Sequence, residues 1–237
     1  MANDKVITTS ALISKFQYAL DNGWGYIYGT AGEVWTQAKQ NAATREMTKK
    51  YGQKWVGHKV ADCSGLFHWA FAQLGGYMYH GSDTMFKKYT TANGTLQSGK
   101  RTDGQGLKPG TAVFVYHAEE NNYSHVGLFI GNGYVIEARG TQYGVVKTKI
   151  TDKRWTHWGE LKGVNYNGGD QPVPEGYAEV TGTRVALRSA PTTQADVITR
   201  VDEGNLVKIE TPPPSEWEYV SFKDKVGYMM KKFLKVG

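Results

Sequence analysis

Apolar residues recur at helical spacing near the start of the chain. Leu12, Ile13, Phe16, Ala19 and Leu20 fall on one face, Thr9 or Ser10 can cap the segment, and Asp21-Asn22-Gly23 ends it. Residues 33–50 carry a second helical pattern, polar and basic. A third helix is expected from about Cys63 to Leu74, with Leu66, Phe67, Ala70, Phe71 and Leu74 as its stripe and Gly75-Gly76 as its stop. From Pro109 onward the pattern changes to strands, at Ala112–His117, His125–Ile130, Tyr134–Ala138 and Val145–Ile150. Helices followed by a run of antiparallel strands make an α+β order. Beyond residue 176 only short strand patterns remain: Ala178–Val180, Val185–Arg188, Val197–Val201, Leu206–Glu210, Trp217–Phe222 and Val226–Met230. Turns separate them at short, regular spacing, which predicts a small β-barrel.

Proline divides the chain. Pro109 alone lies in the first 165 residues, and the other six lie at 172 or beyond. The stretch 165–176 has no apolar periodicity and is dense in turn formers, so it reads as a linker. The expected layout is a domain over 1–164, a linker over 165–176 and a β-barrel over 177–237. With 40% hydrophobic and 21% charged residues among 237, the chain has the composition of a globular protein, not of a disordered, collagenous or coiled-coil one. No run approaches the ~18 apolar residues of a membrane helix. Met1 to Lys15 has no apolar block of signal-peptide type, so synthesis in the cytoplasm is expected. Charge is uneven: residues 1–165 carry a net +7 and residues 166–237 a net −1. The basic first part fits a polyanionic partner or a merely solvated surface. No nucleic-acid motif is present, and no metal or cofactor is called for.

A single cysteine excludes an internal disulfide and a multi-cysteine zinc site. Cys63 lies at or near the first turn of a predicted helix, where unpaired N–H groups and the helix dipole favour a thiolate and can bind an oxyanion. Asp62 or Ser64 can cap that helix. A thiolate nucleophile needs a base, and His125 starts a strand that a hairpin follows. If Gly131-Asn132-Gly133 is a three-residue loop, Val126 faces Ala138, Leu128 faces Ile136 and Ile130 faces Tyr134 on one apolar face. Glu137 then becomes the diagonal neighbour of His125. A two-residue Asn132-Gly133 turn would pair Leu128 with Glu137 and put the acid on the wrong face. The pattern supports a triad of Cys63 as nucleophile, His125 as base and Glu137 as orienting carboxylate. The same register sets Arg139 across from His125, where it would either disfavour the imidazolium or bind a substrate carboxylate.

Asp62-Cys63-Ser64-Gly65-Leu66, followed by His125-Val126-Gly127 and Gly131-Asn132-Gly133, resembles the NlpC-type cell-wall cysteine peptidases. Gly25-Tyr26-Ile27-Tyr28-Gly29 and Lys108-Pro109-Gly110-Thr111-Ala112-Val113-Phe114 are similar to two further segments of that family. Together they span most of residues 10–162. The resemblance implies a papain-like fold, Cys63 and His125 as the catalytic pair, and cleavage of γ-D-glutamyl–diamino-acid bonds in peptidoglycan stem peptides. It further implies that Tyr26 lies by the cysteine and assists the oxyanion, and that Asp62 and Ser64 shape the substrate pocket. The family's third position is commonly His, Asn or Gln; Glu137 departs from that and matches related amidase/peptidases. The basic stretch between Tyr26 and Cys63, with Lys49, Lys50, Lys54 and Lys59, is either a specificity lid or, more in keeping with its composition, a surface insertion. In the second part, Val185-Ala-Leu-Arg-Ser-Ala-Pro191, Glu203-Gly204, Trp217 and Val226-Gly227-Tyr228 resemble a bacterial SH3-type module, which implies cell-wall binding. Tyr177, Trp217, Tyr219 and Tyr228 either line a groove there or fill the core. Thr211-Pro-Pro-Pro-Ser215 is expected to be a rigid loop. The expectation is a monomeric peptidoglycan hydrolase of phage or prophage endolysin type, released to the wall at lysis. Its rivals are an N-acetylmuramoyl-L-alanine amidase with the same triad and a non-catalytic wall-binding protein.

Overall fold

The computed structural model describes residues 7–152, 154–166, 176–182, 184–201, 205–211 and 216–236. Contacts divide the chain into two units, residues 1–166 and 167–237.

In the first unit β1 (Ile7–Thr8) runs straight into α1 (Thr9–Asp21). The cap is Thr8, one residue before Thr9 and two before Ser10: its hydroxyl accepts from the Ala11 amide at 3.1 Å. Leu12, Phe16 and Ala19 are buried as the spacing requires. The expected helix over 33–50 is instead a strand and two short helices: β2 (Ala31–Val34), α2 (Gln37–Asn41) and α3 (Glu46–Tyr51), followed by a 3-10 turn over Gly52–Trp55. Tertiary packing overrides the local pattern here. Ile27, Trp35 and Val60 form a small core of their own. Buried Gln40 accepts from the Trp35 indole at 2.9 Å and donates to the Thr48 carbonyl at 3.1 Å, which fixes the break between the two helices.

The chain then enters β3 (Lys59–Ala61) and α4 (Cys63–Gln73), with Asp62 as the cap between them. Buried Leu66, Phe67, Ala70 and Phe71 face the core, and Phe67 meets Phe16 of α1 edge-on at 4.6 Å. There follow α5 (Ser82–Tyr89), β4 (Thr90–Gln97) and β5 (Lys100–Arg101), which polar sequences such as Thr90-Thr-Ala-Asn-Gly-Thr95 did not announce. Next come β6 (Ala112–His117), β7 (Asn122–Gly131), β8 (Tyr134–Gly140), β9 (Gly144–Lys149), β10 (His157–Leu161) and β11 (Val164–Asn165). Seven of these strands make one antiparallel sheet in the order β5-β4-β10-β6-β7-β8-β9. Side chains alternate across it. Phe114, Val126, Leu128, Ile136 and Ala138 join the helices in the main core. Val113, Phe129 and Val135 face a second cluster with Trp155 and Trp158.

The β7–β8 hairpin settles the register in a third way. Leu128 pairs with Ile136 as expected, but Gly131, not Ile130, pairs with Tyr134, because the ladder slips between Phe129 and Gly131. The loop is thus the two-residue Asn132-Gly133 turn, with φ of +51° and +76°, the positive values a type I′ hairpin turn demands. One bulged residue restores the alternation that a two-residue turn alone would have lost.

In the second unit, β12 (Tyr177–Val180), β13 (Val185–Arg188), β14 (Val197–Val201), β15 (Leu206–Thr211), β16 (Trp217–Phe222), β17 (Lys225–Met230) and β18 (Leu234–Val236) form an antiparallel sheet in the order β14-β13-β17-β16-β15-β12-β18. Its core is aliphatic, with Val180, Leu187, Val201, Val207, Val220 and Met229 all at most 1% exposed. Trp217 is buried outside that cluster, Tyr219 and Tyr228 pack on each other at 4.9 Å, and Tyr177 is exposed. None of the four aromatics belongs to that core cluster. The proline run over 212–214 lies outside the described residues.

The first unit extends through Tyr166. Asn165 pairs through β11 with β1. The buried Tyr166 hydroxyl accepts from the Leu161 amide at 2.9 Å and donates to the Gly110 carbonyl at 2.8 Å. Both residues belong to the first unit. Gly176 belongs to the second, since its carbonyl accepts from the Ile209 amide. Residues 167–175 lie outside the described residues. Removing the hydroxyl in Tyr166→Phe leaves a buried amide and a buried carbonyl without their partner. The expected cost is about 1–3 kcal/mol, read as a lower midpoint in urea unfolding followed by Trp fluorescence.

Candidate active site

The cysteine is placed by its neighbours in the chain. Gly25 hydrogen-bonds along β3, its amide to the Lys59 carbonyl and its carbonyl to the Ala61 amide. That bridge holds Tyr26 beside the turn from β3 into α4. A methyl group on Gly25 would strike the Trp55 ring at 2.5–2.8 Å, so only glycine lets the segment lie this close. Asp62, 5% exposed, ties the turn together. Its Oδ1 accepts from the Gly65 amide at 2.7 Å and from the Ser64 hydroxyl at 3.2 Å, while Oδ2 accepts from the Gly29 amide at 2.8 Å. His80 Nε2 lies 2.9 Å from both oxygens. Asp62, not Ser64, is the helix cap.

Cys63 is the first residue of α4 and is 8% exposed. Four N–H groups at a helix start lack helical partners. Gly65 gives its N–H to Asp62 Oδ1 and Leu66 gives its own to the Asp62 carbonyl. Among the described residues nothing pairs with the amides of Cys63 and Ser64. Two donors therefore remain at the sulfur end of the helix, where an oxyanion would sit. Burial pushes the Tyr26 phenol well above its ordinary range, and the charges of Cys63 and Asp62 push it the same way. Tyr26 is thus a neutral O–H donor beside the cysteine. The exposed Tyr28 ring carries the Arg45 guanidinium at 3.6 Å, from the start of α3.

The sheet supplies the histidine. α4 packs on β7 and β8, which carry His125 and Glu137. His125 Nε2 lies 2.7 Å from Glu137 Oε2. Glu137 is 0% exposed, and a buried carboxylate is stable only when paired. Its other oxygen accepts from the Thr148 hydroxyl at 2.7 Å and forms an ion pair with Arg154. Burial draws the Arg154 guanidinium below its ordinary range. Trp155 stacks on the His125 ring at 5.7 Å and 23°. A methyl group on Gly127 would come within 2.7 Å of both Trp155 and Val135, so a glycine two residues after the histidine makes room for the stack. With Nε2 committed, Nδ1 is the ring nitrogen left for chemistry; among the described residues nothing bonds it.

Tyr26, Asp62, Cys63 and Ser64 thus share one turn, and His125 and Glu137 share one hydrogen bond. Arg139 is exposed, with its guanidinium 5.0 Å from the Tyr143 ring. The cation on the dyad is Arg154. Neither Arg154 nor Trp155 showed in the sequence, because they come from the loop before β10 and reach Glu137 and His125 only through sheet order. His80 was missed as the partner of Asp62 because it returns to the start of α4 from the segment between α4 and α5. Among the described residues no group of three or more His, Cys, Asp or Glu converges as metal ligands do, and no helix is long and apolar enough to cross a membrane.

Residues 35–160 match the family model described as the NlpC/P60 family. No curated protein matches the chain. Among solved structures, NlpC2 from Trichomonas vaginalis is similar at 19% identity and a TM-score of 0.44, over 68% of this chain and 48% of that one. The chain thus spans about half the length of that relative. RipB, a peptidoglycan hydrolase from Mycobacterium tuberculosis, is similar at 19% identity and 0.40, over 65% of each chain. RipD from the same organism, described as a non-catalytic NlpC/p60 domain protein adapted to peptidoglycan binding, is similar at 17% identity and 0.41, over 64% of this chain and 95% of that one.

The network makes two outcomes measurable. Arg154→Met leaves Glu137 buried with one partner fewer and is expected to destabilise the protein by about 3 kcal/mol in urea unfolding. Glu137→Gln removes the carboxylate that holds His125 Nε2 and pairs with Arg154. Alkylation of Cys63 by iodoacetamide at pH 7 is expected to slow about tenfold or more, with equal rates for both proteins in denaturant.

Proposed function

The chain belongs to the NlpC/P60 family, whose fold carries peptidoglycan hydrolases, and from that premise we propose that it is a cysteine endopeptidase of the bacterial cell wall. The observation that carries the reading is the 2.7 Å bond between His125 Nε2 and a wholly buried Glu137. It fixes the imidazole so that Nδ1 is the atom free to serve the thiol, and it stabilises the imidazolium that forms in each half of the reaction.

The steps follow. The Cys63 thiolate attacks the peptide carbonyl carbon, and the oxygen takes the negative charge. The free amides at the start of α4 and the neutral Tyr26 hydroxyl are the donors for that oxyanion, with each such donor contributing roughly 3 kcal/mol in comparable sites. His125 gives its Nδ1 proton to the leaving amine as the C–N bond breaks, leaving a thioester. A water then loses a proton to His125 and attacks the thioester, and Cys63 departs as thiolate. Asp62 shapes the pocket indirectly, since its oxygens are engaged by Gly29, Ser64, Gly65 and His80. Ser64 lies within the turn, and Arg139 is an exposed cation for a substrate carboxylate.

The proposed bond is the γ-D-glutamyl–diamino-acid bond of the stem peptide. The second unit is proposed as the SH3-type wall-binding module, which raises local substrate concentration by tethering. A catalytic unit joined to such a module suits a phage or prophage endolysin acting as a monomer.

Mass spectrometry of lysine-type and diaminopimelate-type peptidoglycans tests the reading. Fragments cut after D-Glu are expected with the native protein and none with Cys63→Ala. Glu137→Gln is expected to lower kcat about a hundredfold. Stems freed at the lactyl group would assign an amidase instead. Intact stems on both walls, with the protein still pelleting with them, would assign a non-catalytic binder.

A further inference from the structure

The second unit holds a cavity of about 230 Å³ that the peptidase chemistry does not use. One wall is cationic: Arg184, Arg188 and Arg200. The other is apolar: Trp217, Met230 and Phe233. Among the described residues no Asp or Glu lines it. Composition does not account for this, because residues 166–237 hold more acidic than basic side chains. Strand pairing brings the arginines together. Arg184 precedes β13 with φ of +52°, Arg188 ends β13, and Arg200 lies on β14 opposite Ala186.

Two of the guanidinium groups are already oriented. Arg188 Nη1 donates to the Ala195 carbonyl at 2.7 Å, and Arg200 Nη1 donates to the Arg184 carbonyl at 3.2 Å. Each keeps further N–H donors on its planar fork. Among the described residues no carboxylate pairs with any of the three. Three like charges around an apolar wall repel one another and attract an anion. A guanidinium fork matches a carboxylate in two parallel hydrogen bonds. The apolar wall selects further: it offers nothing to a polyol phosphate but covers small alkyl side chains. The volume is below the roughly 300–1,000 Å³ of a site for a drug-sized ligand, which leaves room for the end of a peptide.

We propose that this cavity binds the free C-terminal carboxylate of a short peptide whose last side chains are small and apolar. The site is separate from Cys63, and the inference stands or falls independently of catalysis.

The test uses the full-length protein with Cys63→Ala, so that no probe is consumed. N-acetyl-D-alanyl-D-alanine, the same dipeptide as its C-terminal amide, and glycerol 3-phosphate are titrated by calorimetry. The acid is expected to bind saturably and the amide at least tenfold more weakly. Glycerol 3-phosphate is expected not to displace the acid. Arg200→Gln is expected to weaken the acid about tenfold, with Arg200→Lys between the two. No binding of the acid, equal binding of acid and amide, or an unchanged affinity in Arg200→Gln would overturn the proposal. Displacement by glycerol 3-phosphate would reassign the cavity to phosphate polymers and also overturn it. Should Arg200→Gln fail to fold, the acid–amide comparison on unaltered arginines still decides.

Discussion

The first unit turns on one carboxylate. Asp62 lies at the junction of β3 and α4 and accepts from both sides of it, the Gly65 amide within the helix and the Gly29 amide in the loop that carries Tyr26 and Tyr28. Hydrogen bonds to a charged acceptor contribute about 1.5–3 kcal/mol each, so the side chain does more than an ordinary cap. By satisfying Gly65 and Leu66 it fixes where the helix begins, and so which two amides stay free next to the sulfur. His80 closes the arrangement from the segment before α5. The glycine at 65 is obligatory for the same reason: a Cβ there would lie 2.0 Å from the Thr30 carbonyl oxygen.

A second buried carboxylate organises the opposite side of the candidate site, with different logic. Asp62 is bound by two backbone amides, the Ser64 hydroxyl and His80, so it shapes the turn. Glu137 is bound by His125, Thr148 and Arg154, so its charge is shared between a base and a fixed cation. Arg154 gives the wholly buried acid a counter-charge, and Trp155 covers one face of the imidazole from the same loop. A carboxylate at this position thus comes with its own counter-charge, which a neutral His, Asn or Gln would not require.

Much of this was legible in the chain, and the misses have physical causes. The α4 stripe, the strands β6 to β9 and the six strands from β12 to β17 follow from periodicities of 3.6 and 2. The pairing of His125 with Glu137 followed from matching apolar faces across a hairpin, even though the loop length was misjudged. The matching succeeded because a bulge near Ile130 preserved the alternation. The helix over 33–50 failed because a buried glutamine and two tryptophans, Trp35 and Trp55, organise that segment through tertiary contacts. The strands β4 and β10 were missed because one is polar and the other lies beside a glycine-rich, mixed sequence.

Local order determined what the sequence alone could decide: which residue starts a helix, which faces of a strand are apolar, and which acid can reach which histidine across one turn. Those are short-range consequences of backbone geometry and side-chain period. Tertiary structure decided the rest. Arg154 and Trp155 meet Glu137 and His125 only after β10 has taken its place between β4 and β6 in the sheet, and His80 meets Asp62 only when the segment after α4 folds back on the start of that helix. Neither charge nor spacing along the chain encodes those meetings. They arise because burial leaves each carboxylate in need of a partner, and the order of the strands determines which one it finds.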